Sequence, residues 1–145
     1  FTSGGGMRMY ENLISLSQMV RVTLAINELK KKNLPYIVVM CDATTGGITA
    51  SYAMLGDINF AEPGALIAFA GARVIKGTVN QELPEGFQKS QYVQKTGFID
   101  LIVERKLLNE KIYSILSILL KKNSDISSNS DETSENYRSI TKAAS

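Results

Sequence analysis

Residues 36–55 read YIVVMCDATTGGITASYAML, and this stretch decides the fold class. Residues 36–41 are an apolar run rich in β-branched side chains, which predicts a short buried strand. The chain then turns at Gly46 and Gly47, and residues 48–55 are mostly small, which predicts a closely packed helix. A strand, a glycine turn and a helix in direct succession are typical of α/β proteins.

The rest of the chain alternates in the same way between apolar runs and helical patterns. Further strands are predicted at 65–71 and 99–103, and helices at 9–32, 72–80, 88–96 and 107–122. The longest of these helices carries Leu13, Leu16, Val20 and Leu24 at helical spacing. The pattern predicts one α/β domain over residues 1–122, in which helices cover short strands.

Both termini of the sequence are unusual. Residues 123–145 consist mainly of Ser, Asn, Asp, Glu and Thr with almost no apolar residue. Such a segment buries too little apolar surface to offset its ordering entropy, so we predict a disordered polar tail without a role in function. The chain begins at Phe1 without an initiator Met, as if inside a strand or at its end, so we expect an N-terminally truncated fragment.

Composition excludes several classes of function. The net charge of +2, from 16 basic and 14 acidic residues, is too balanced for nucleic acid as the main partner. No stretch approaches the roughly 20 apolar residues of a membrane span. Cys41 is the single cysteine, so no intramolecular disulfide forms and a reducing compartment is the simplest setting. The sequence has no histidine, which excludes a Ser-His-Asp triad, a Cys-His dyad and a His-ligated zinc site.

Two glycine-rich segments precede predicted helices, and their role has two interpretations. Free N–H groups and the positive end of the helix dipole converge at helix starts, where loops bind anions. In the first interpretation, Gly5, Gly6, Gly46 and Gly47 direct backbone N–H donors from two loops at one developing negative oxygen. In the second, each glycine only relieves crowding at a tight turn. Neither segment matches a phosphate-binding fingerprint, so an oxyanion fits better than a phosphate.

Four motifs in order point to a family: SGGGMRM, TTGGITAS, LGDINFAEP and FAGARVI. Together they closely resemble the carboxyltransferase β subunit of acetyl-CoA carboxylase of the bacterial and plastid type, over about residues 1–120. The resemblance implies a crotonase-like fold, a spiral of β-β-α units, of which this chain would be the C-terminal part. It also implies an acyl-CoA thioester as substrate, with its enolate stabilised by backbone N–H groups.

The resemblance further implies a reaction and a set of partners. A carboxyl group would pass from carboxybiotin on a carrier protein to acetyl-CoA, giving malonyl-CoA in the first committed step of fatty acid synthesis. Gly5 and Gly6 would line one side of the thioester oxyanion site, and Gly46 and Gly47 the other. The expected partners are the carboxyltransferase α subunit, the biotin carboxyl carrier protein and biotin carboxylase, in an ATP-dependent complex. An α2β2 carboxyltransferase in the bacterial cytoplasm is expected, with the plastid stroma as the alternative.

This sequence departs from the family pattern at two places. The zinc ribbon of four cysteines that such β subunits usually carry is absent, so zinc is expected only in the missing N-terminal region. Met7 replaces a small residue beside the first glycine loop, which would change the shape of the pocket. Arg8 and Arg73 are candidates for binding a CoA phosphate, the biotin carrier or a partner subunit, with a structural ion pair as an equal alternative.

Other functions remain open at this stage. Glu11 and Glu62 are the carboxylates that a hydratase on this fold would use as general acid or base, although a helix start and an A-E-P turn explain both. Ser51 has no base in the chain to activate it as a nucleophile. The alternatives are therefore another crotonase-fold acyl-CoA enzyme, such as a propionyl-type carboxyltransferase or a hydratase, or a noncatalytic interaction module.

Overall fold

The computed structural model describes residues 1–6 and 8–120, without the side chain of Met9. Two predictions lie outside the described residues: the effect of Met7 on the pocket and the disordered tail at residues 123–145.

The described residues form a parallel sheet with helices around it. Its strands are β1 (Thr2–Gly4), β2 (Ile37–Thr45), β3 (Ile58–Ala61), β4 (Ile67–Ala68) and β5 (Leu101–Ile102). The α-helices are α1 (Asn12–Lys31), α2 (Ala72–Val79), α3 (Ser90–Lys95) and α4 (Leu108–Leu119). Short 3-10 helices lie at Met9–Glu11, Tyr52–Leu55 and Arg105–Leu107. The predicted α/β class is confirmed, and the sheet is parallel.

β2 is the central strand of this sheet. The strand order is β1-β2-β3-β5, and β4 pairs with the end of β2 at Thr44 and Thr45. Val38, Val39 and Met40 of β2 are all buried, although successive side chains of a strand point to opposite faces. The sheet is therefore covered on both faces, as parallel sheets generally are.

Two groups of apolar side chains form the core, one on each face of β2. The first comprises Val38, Met40, Ala53, Ala61, Ala65, Ile67 and Ile99. The second comprises Val39, Phe60, Val103 and Leu108, with Ile112 and Ile115 of α4 packed against it. The helix predicted at 107–122 is confirmed as α4, which places its apolar face over the second group.

The prediction of a helix over residues 48–55 is wrong. Residues 46–51 form hydrogen-bonded turns, and only Tyr52–Leu55 are helical, as a 3-10 helix. The side-chain hydroxyl of Thr49 donates to the carbonyl oxygen of Thr44 at 3.0 Å, and that of Ser51 donates to the carbonyl oxygen of Gly47. Such local bonds compete with a regular helix, so the second glycine pair does not stand at the N-terminus of an α-helix.

Several predicted strand boundaries also change. The strand predicted at 36–41 continues to Thr45, whereas that predicted at 65–71 shrinks to Ile67–Ala68. β3 was missed, because its four residues form a strand by pairing with β2 on one side and β5 on the other, which no local pattern reveals. The helices predicted at 9–32, 72–80 and 88–96 are confirmed as α1, α2 and α3, with shorter boundaries.

α1 leaves most of its apolar side chains exposed. Ile26 is its one buried residue, whereas Leu13 is 74% exposed and Val20 and Leu24 are each 59% exposed. A stripe of this spacing normally faces a core. In the described part of the chain, this stripe has no covering element. Neither α1 nor any other described helix is long and apolar enough to cross a membrane.

Candidate functional site

The two glycine turns lie in direct contact. A Cβ atom built on Gly46 would lie 2.9 Å from the Cα atom of Gly6 and 3.7 Å from its backbone nitrogen. Both residues also have a positive φ, +64° at Gly46 and +113° at Gly6, which side chains other than glycine rarely adopt. Glycine is therefore favoured at both positions by the positive φ, and at Gly46 also because a side chain there would collide with the backbone of Gly6.

The backbone amides of these turns differ in their hydrogen bonds. The Gly46 amide donates to the carbonyl oxygens of Ala68 and Phe69, at 3.1 Å each. Across residues 1–6 and 8–120, the amides of Gly5, Gly6 and Gly47 have no acceptor. Gly46 therefore anchors the second turn to the end of β4, and Gly47 is the residue of its pair whose N–H group is free for a ligand.

Three threonines that the sequence analysis did not single out surround the second turn. The Thr44 hydroxyl lies 2.9 Å from the carbonyl oxygens of both Thr2 and Cys41, and the Thr45 hydroxyl donates to the carbonyl oxygen of Gly4 at 3.1 Å. Thr49 closes the turn through its bond to Thr44. The TTGGIT motif is the sequence signal that could have predicted these roles, because threonine hydroxyls next to glycines often stabilise turns by hydrogen bonds to the backbone.

An apolar cavity of about 340 Å³ borders the second turn. Its lining combines turn residues with residues of β4, α3 and the segments after them: Thr49, Ala50, Met54, Ile67, Ala68, Phe69, Val93 and Phe98. Phe69 and Phe98 remain 66% and 59% exposed at its edge. The cavity thus offers an apolar surface next to the turn that holds the Gly47 amide.

Glu62 lies in a structural ion pair. Its carboxylate accepts hydrogen bonds from Arg105 at 2.6 and 3.0 Å, and its side chain is only 12% exposed. The hydrogen bonds from Arg105 lower the pKa of Glu62, so the carboxylate stays ionised and is not suited to act as a general acid. Burial and the neighbouring Glu62 charge raise the pKa of the Cys41 thiol.

The remaining candidates are exposed or serve local structure. Arg8 forms an ion pair with Glu11 at 3.4 Å, in which both side chains are mostly exposed. This pair matches the structural alternative for Arg8 and gives Glu11 a local role. Arg73 is exposed on α2 and, among the described residues, makes no ion pair. The hydroxyl of Ser51 donates within its own turn, in keeping with a packing role.

These observations define a class of protein. It is a mixed α/β protein whose parallel sheet brings two glycine turns into contact, with free backbone N–H donors beside an apolar cavity. The described residues contain no group of three or more His, Cys, Asp or Glu side chains that could hold a metal ion. The donors that the site offers are the backbone amides of Gly5, Gly6 and Gly47, which suit a carbonyl oxygen or an oxyanion.

Several curated bacterial proteins are similar to this chain. No protein-family model matches the chain. It is 78% identical over all 145 residues to the acetyl-coenzyme A carboxylase carboxyl transferase subunit beta of Pelagibacter ubique, of which it covers 47%. It is 58% and 53% identical to the subunits of the same name from Caulobacter vibrioides and Methylocella silvestris, over 83% of this chain and 39% and 42% of theirs.

The chain spans less than half the length of these relatives. Within that span, the sequence is closely similar to acetyl-coenzyme A carboxylase carboxyl transferase subunits beta, which confirms the resemblance predicted from the four motifs.

Proposed function

We propose that this chain is part of a carboxyltransferase β subunit of acetyl-CoA carboxylase. The subunit would transfer the carboxyl group of carboxybiotin, held on a carrier protein, to acetyl-CoA and so produce malonyl-CoA for fatty acid synthesis. The observation that carries this proposal is the contact between Gly6 and Gly46, which joins two turns with free amides in one place. The names of the relatives support the choice of reaction.

The amides of Gly5, Gly6 and Gly47 are the proposed donors to the substrate oxygen. Deprotonation of the acetyl-CoA methyl group places negative charge on the thioester oxygen, and a fixed N–H donor can lower such a barrier by roughly 3 kcal/mol. Gly46 shapes the turn and anchors it to β4. A chain without histidine can perform this role, because the donors are backbone groups.

The free amides fit carboxybiotin as well as acetyl-CoA, since both present a carbonyl oxygen. When bound, carboxybiotin supplies the carboxyl group and the base for the methyl proton. The protein then has to orient the two substrates and stabilise charge on their oxygens. Arg8 and Arg73 remain proposed contacts for a CoA phosphate or for the carrier, because both side chains are exposed.

The domain and its assembly belong to the same proposal. Residues 1–122 would be the C-terminal part of a crotonase-like spiral of β-β-α units, and residues 123–145 a polar tail. The relatives are named as subunits, which supports an assembly of several chains, and the proposed partners are an α subunit, a biotin carboxyl carrier protein and biotin carboxylase. A bacterial cytoplasmic α2β2 carboxyltransferase is the proposed form.

The test is carboxyl transfer by a complete β subunit that carries this sequence, mixed with an α subunit. We expect malonyl-CoA from acetyl-CoA and carboxylated carrier protein, and none when the α subunit is left out. Propionyl-CoA and crotonyl-CoA serve as competing substrates. Preference for propionyl-CoA, or hydration of crotonyl-CoA, would replace the proposal with another acyl-CoA enzyme, and no turnover with any of them would favour an interaction module.

A further inference from the structure

The register between β1 and β2 shifts just before the two glycine turns. Thr2 pairs with Met40, but Gly4 pairs with Thr44, so β2 advances by four residues while β1 advances by two. Such a bulge bends a strand and interrupts its ladder of backbone hydrogen bonds. Backbone pairing is therefore less regular just before the two turns. Other contacts are needed to fix the position of the first turn relative to the second.

Side-chain hydroxyls supply these contacts. Thr44, which is fully buried, bonds to Thr2 within the bulge, and the hydroxyl of Ser3 lies 3.4 Å from the carbonyl oxygen of Asp42. Beyond the bulge, Thr45 donates to the carbonyl oxygen of Gly4 at 3.1 Å. Thr45 immediately precedes Gly46, and Gly4 immediately precedes Gly5.

We propose that Thr45 is a positioning residue that holds the first glycine turn against the second through its hydrogen bond to Gly4. This inference rests on the proposed function, because it assigns a role at the same oxyanion site. A displacement of about 1 Å at a reacting group can cost roughly a hundredfold in rate, so loss of the hydrogen bond from Thr45 to Gly4 is expected to matter.

Thr45 suits a direct test because valine has nearly the same shape and a high preference for strands. Thr45 is also only half-buried, whereas Thr44 is fully buried with three oxygen neighbours. The Thr45→Val variant removes the hydroxyl and retains the strand, and Thr45→Ser retains the hydroxyl. The control is Thr23→Val in α1, a half-buried threonine whose hydroxyl donates to the carbonyl oxygen of Met19 at 2.9 Å, within its own helix.

In the complete subunit with its α partner, we expect Thr45→Val to lower kcat for malonyl-CoA formation about tenfold, which equals about 1.4 kcal/mol of barrier. The KM for acetyl-CoA should change less than about twofold, because tight substrate binding does not depend on this bond alone. Thr45→Ser and Thr23→Val should retain the kcat of the unmodified enzyme. An unchanged kcat in Thr45→Val, or an equal loss in Thr45→Ser, would overturn the proposal.

A measurement without turnover separates this inference from the proposed function. Thr45→Val should shift the backbone amide resonances of Gly5 and Gly6 in the complete subunit, and Thr45→Ser and Thr23→Val should leave them in place. If these resonances do not move, Thr45 does not position the turn, whatever the enzyme does. If they move while the unmodified complex forms no malonyl-CoA, the positioning role is supported and the proposed function fails.

Discussion

Arg105 holds the carboxylate of Glu62 by two hydrogen bonds, from its Nε atom at 2.6 Å and from its second terminal nitrogen at 3.0 Å. Glu62 directly follows β3, and Arg105 begins the 3-10 helix that leads into α4. The pair therefore links the start of α4 to the end of β3. In the sheet, β3 lies on one side of β2, and β1, which leads into the first glycine turn, lies on the other. A two-point bond of this kind fixes both distance and orientation.

The first prediction concerns the pH dependence of stability. Because Arg105 lowers the pKa of Glu62, the pair contributes stability above the ordinary carboxyl pKa of about 4.3 and loses it as the pH falls through the lower folded value. Glu62→Gln should reduce the urea midpoint at pH 7 and flatten the loss of stability in acid. The control is Glu28→Gln, which breaks an exposed pair with Lys31 and should have little effect. Equal midpoints for the two variants at pH 7 would contradict the prediction.

The second prediction uses the different surroundings of Gly5 and Gly46. Gly5 lies outside the left-handed region, and a Cβ atom added there would meet nothing within 4 Å. Gly5→Val should therefore retain the fold and assembly but lower kcat by about tenfold or more, because the branched side chain blocks substrate approach to the amide. Gly46→Val should lose both activity and stability, since positive φ alone costs about 1–2 kcal/mol and the side chain meets Gly6.

The control for Gly5→Val is Gly77→Ala in α2, where an added Cβ atom also meets nothing within 4 Å. This variant should retain full activity and gain up to about 1 kcal/mol of stability, because alanine favours helices. Malonyl-CoA formation and urea unfolding measure both effects. If Gly5→Val retains full activity, no substrate approaches this turn and the glycines only relieve crowding.

Local sequence patterns predicted the fold where one segment determines its own structure. The long run without Gly or Pro predicted α1, and the β-branched run at residues 36–41 predicted β2. Local patterns failed where pairing with a distant strand determines the structure. β3 is a strand because it pairs with β2 and β5. β4 consists of only Ile67 and Ala68 because it pairs with two residues at the end of β2. The turns after Gly47 escaped prediction because Thr49 and Ser51 bond to nearby carbonyls instead of continuing a helix.

The sequence singled out glycines for the candidate site but not the geometry that they adopt. The motifs singled out both glycine pairs, yet only the fold reveals that Gly46 touches Gly6 and that its amide is already bonded to Ala68 and Phe69. The hydrogen bond of the Thr45 hydroxyl was also not predicted, because its partner Gly4 lies 41 positions away in the sequence. Long-range contacts of this kind leave no periodic signal.

The third prediction is that residues 123–145 can be removed without loss of folding or activity. Their composition offers almost no apolar surface, so ordering them would cost more free energy than their burial returns. Chains ending at residue 122 and at residue 145 should have melting temperatures within about 2 °C of each other and equal kcat in the assembled enzyme. A decrease of several degrees on truncation would contradict the prediction.

The last prediction concerns association through α1. Its exposed apolar stripe contains Leu13, Leu16, Val20 and Leu24, and contiguous uncovered apolar patches usually mark an interface or an aggregation hazard. We expect the isolated 145-residue chain to be oligomeric or prone to aggregate, and a complete β subunit to associate with an α subunit. Size-exclusion chromatography with light scattering measures both.

A matched pair of variants assigns the association to this stripe. Leu13→Ser with Val20→Ser removes two of its most exposed apolar side chains, and should shift the isolated chain toward monomer, because each buried leucine or valine contributes about 1.5–3 kcal/mol. The control is Tyr113→Ser on α4, which removes an apolar side chain that is 66% exposed on a different helix. A stable monomer of the unmodified chain would contradict the prediction, and so would an equal shift in the Tyr113→Ser control, since the association would then not depend on α1.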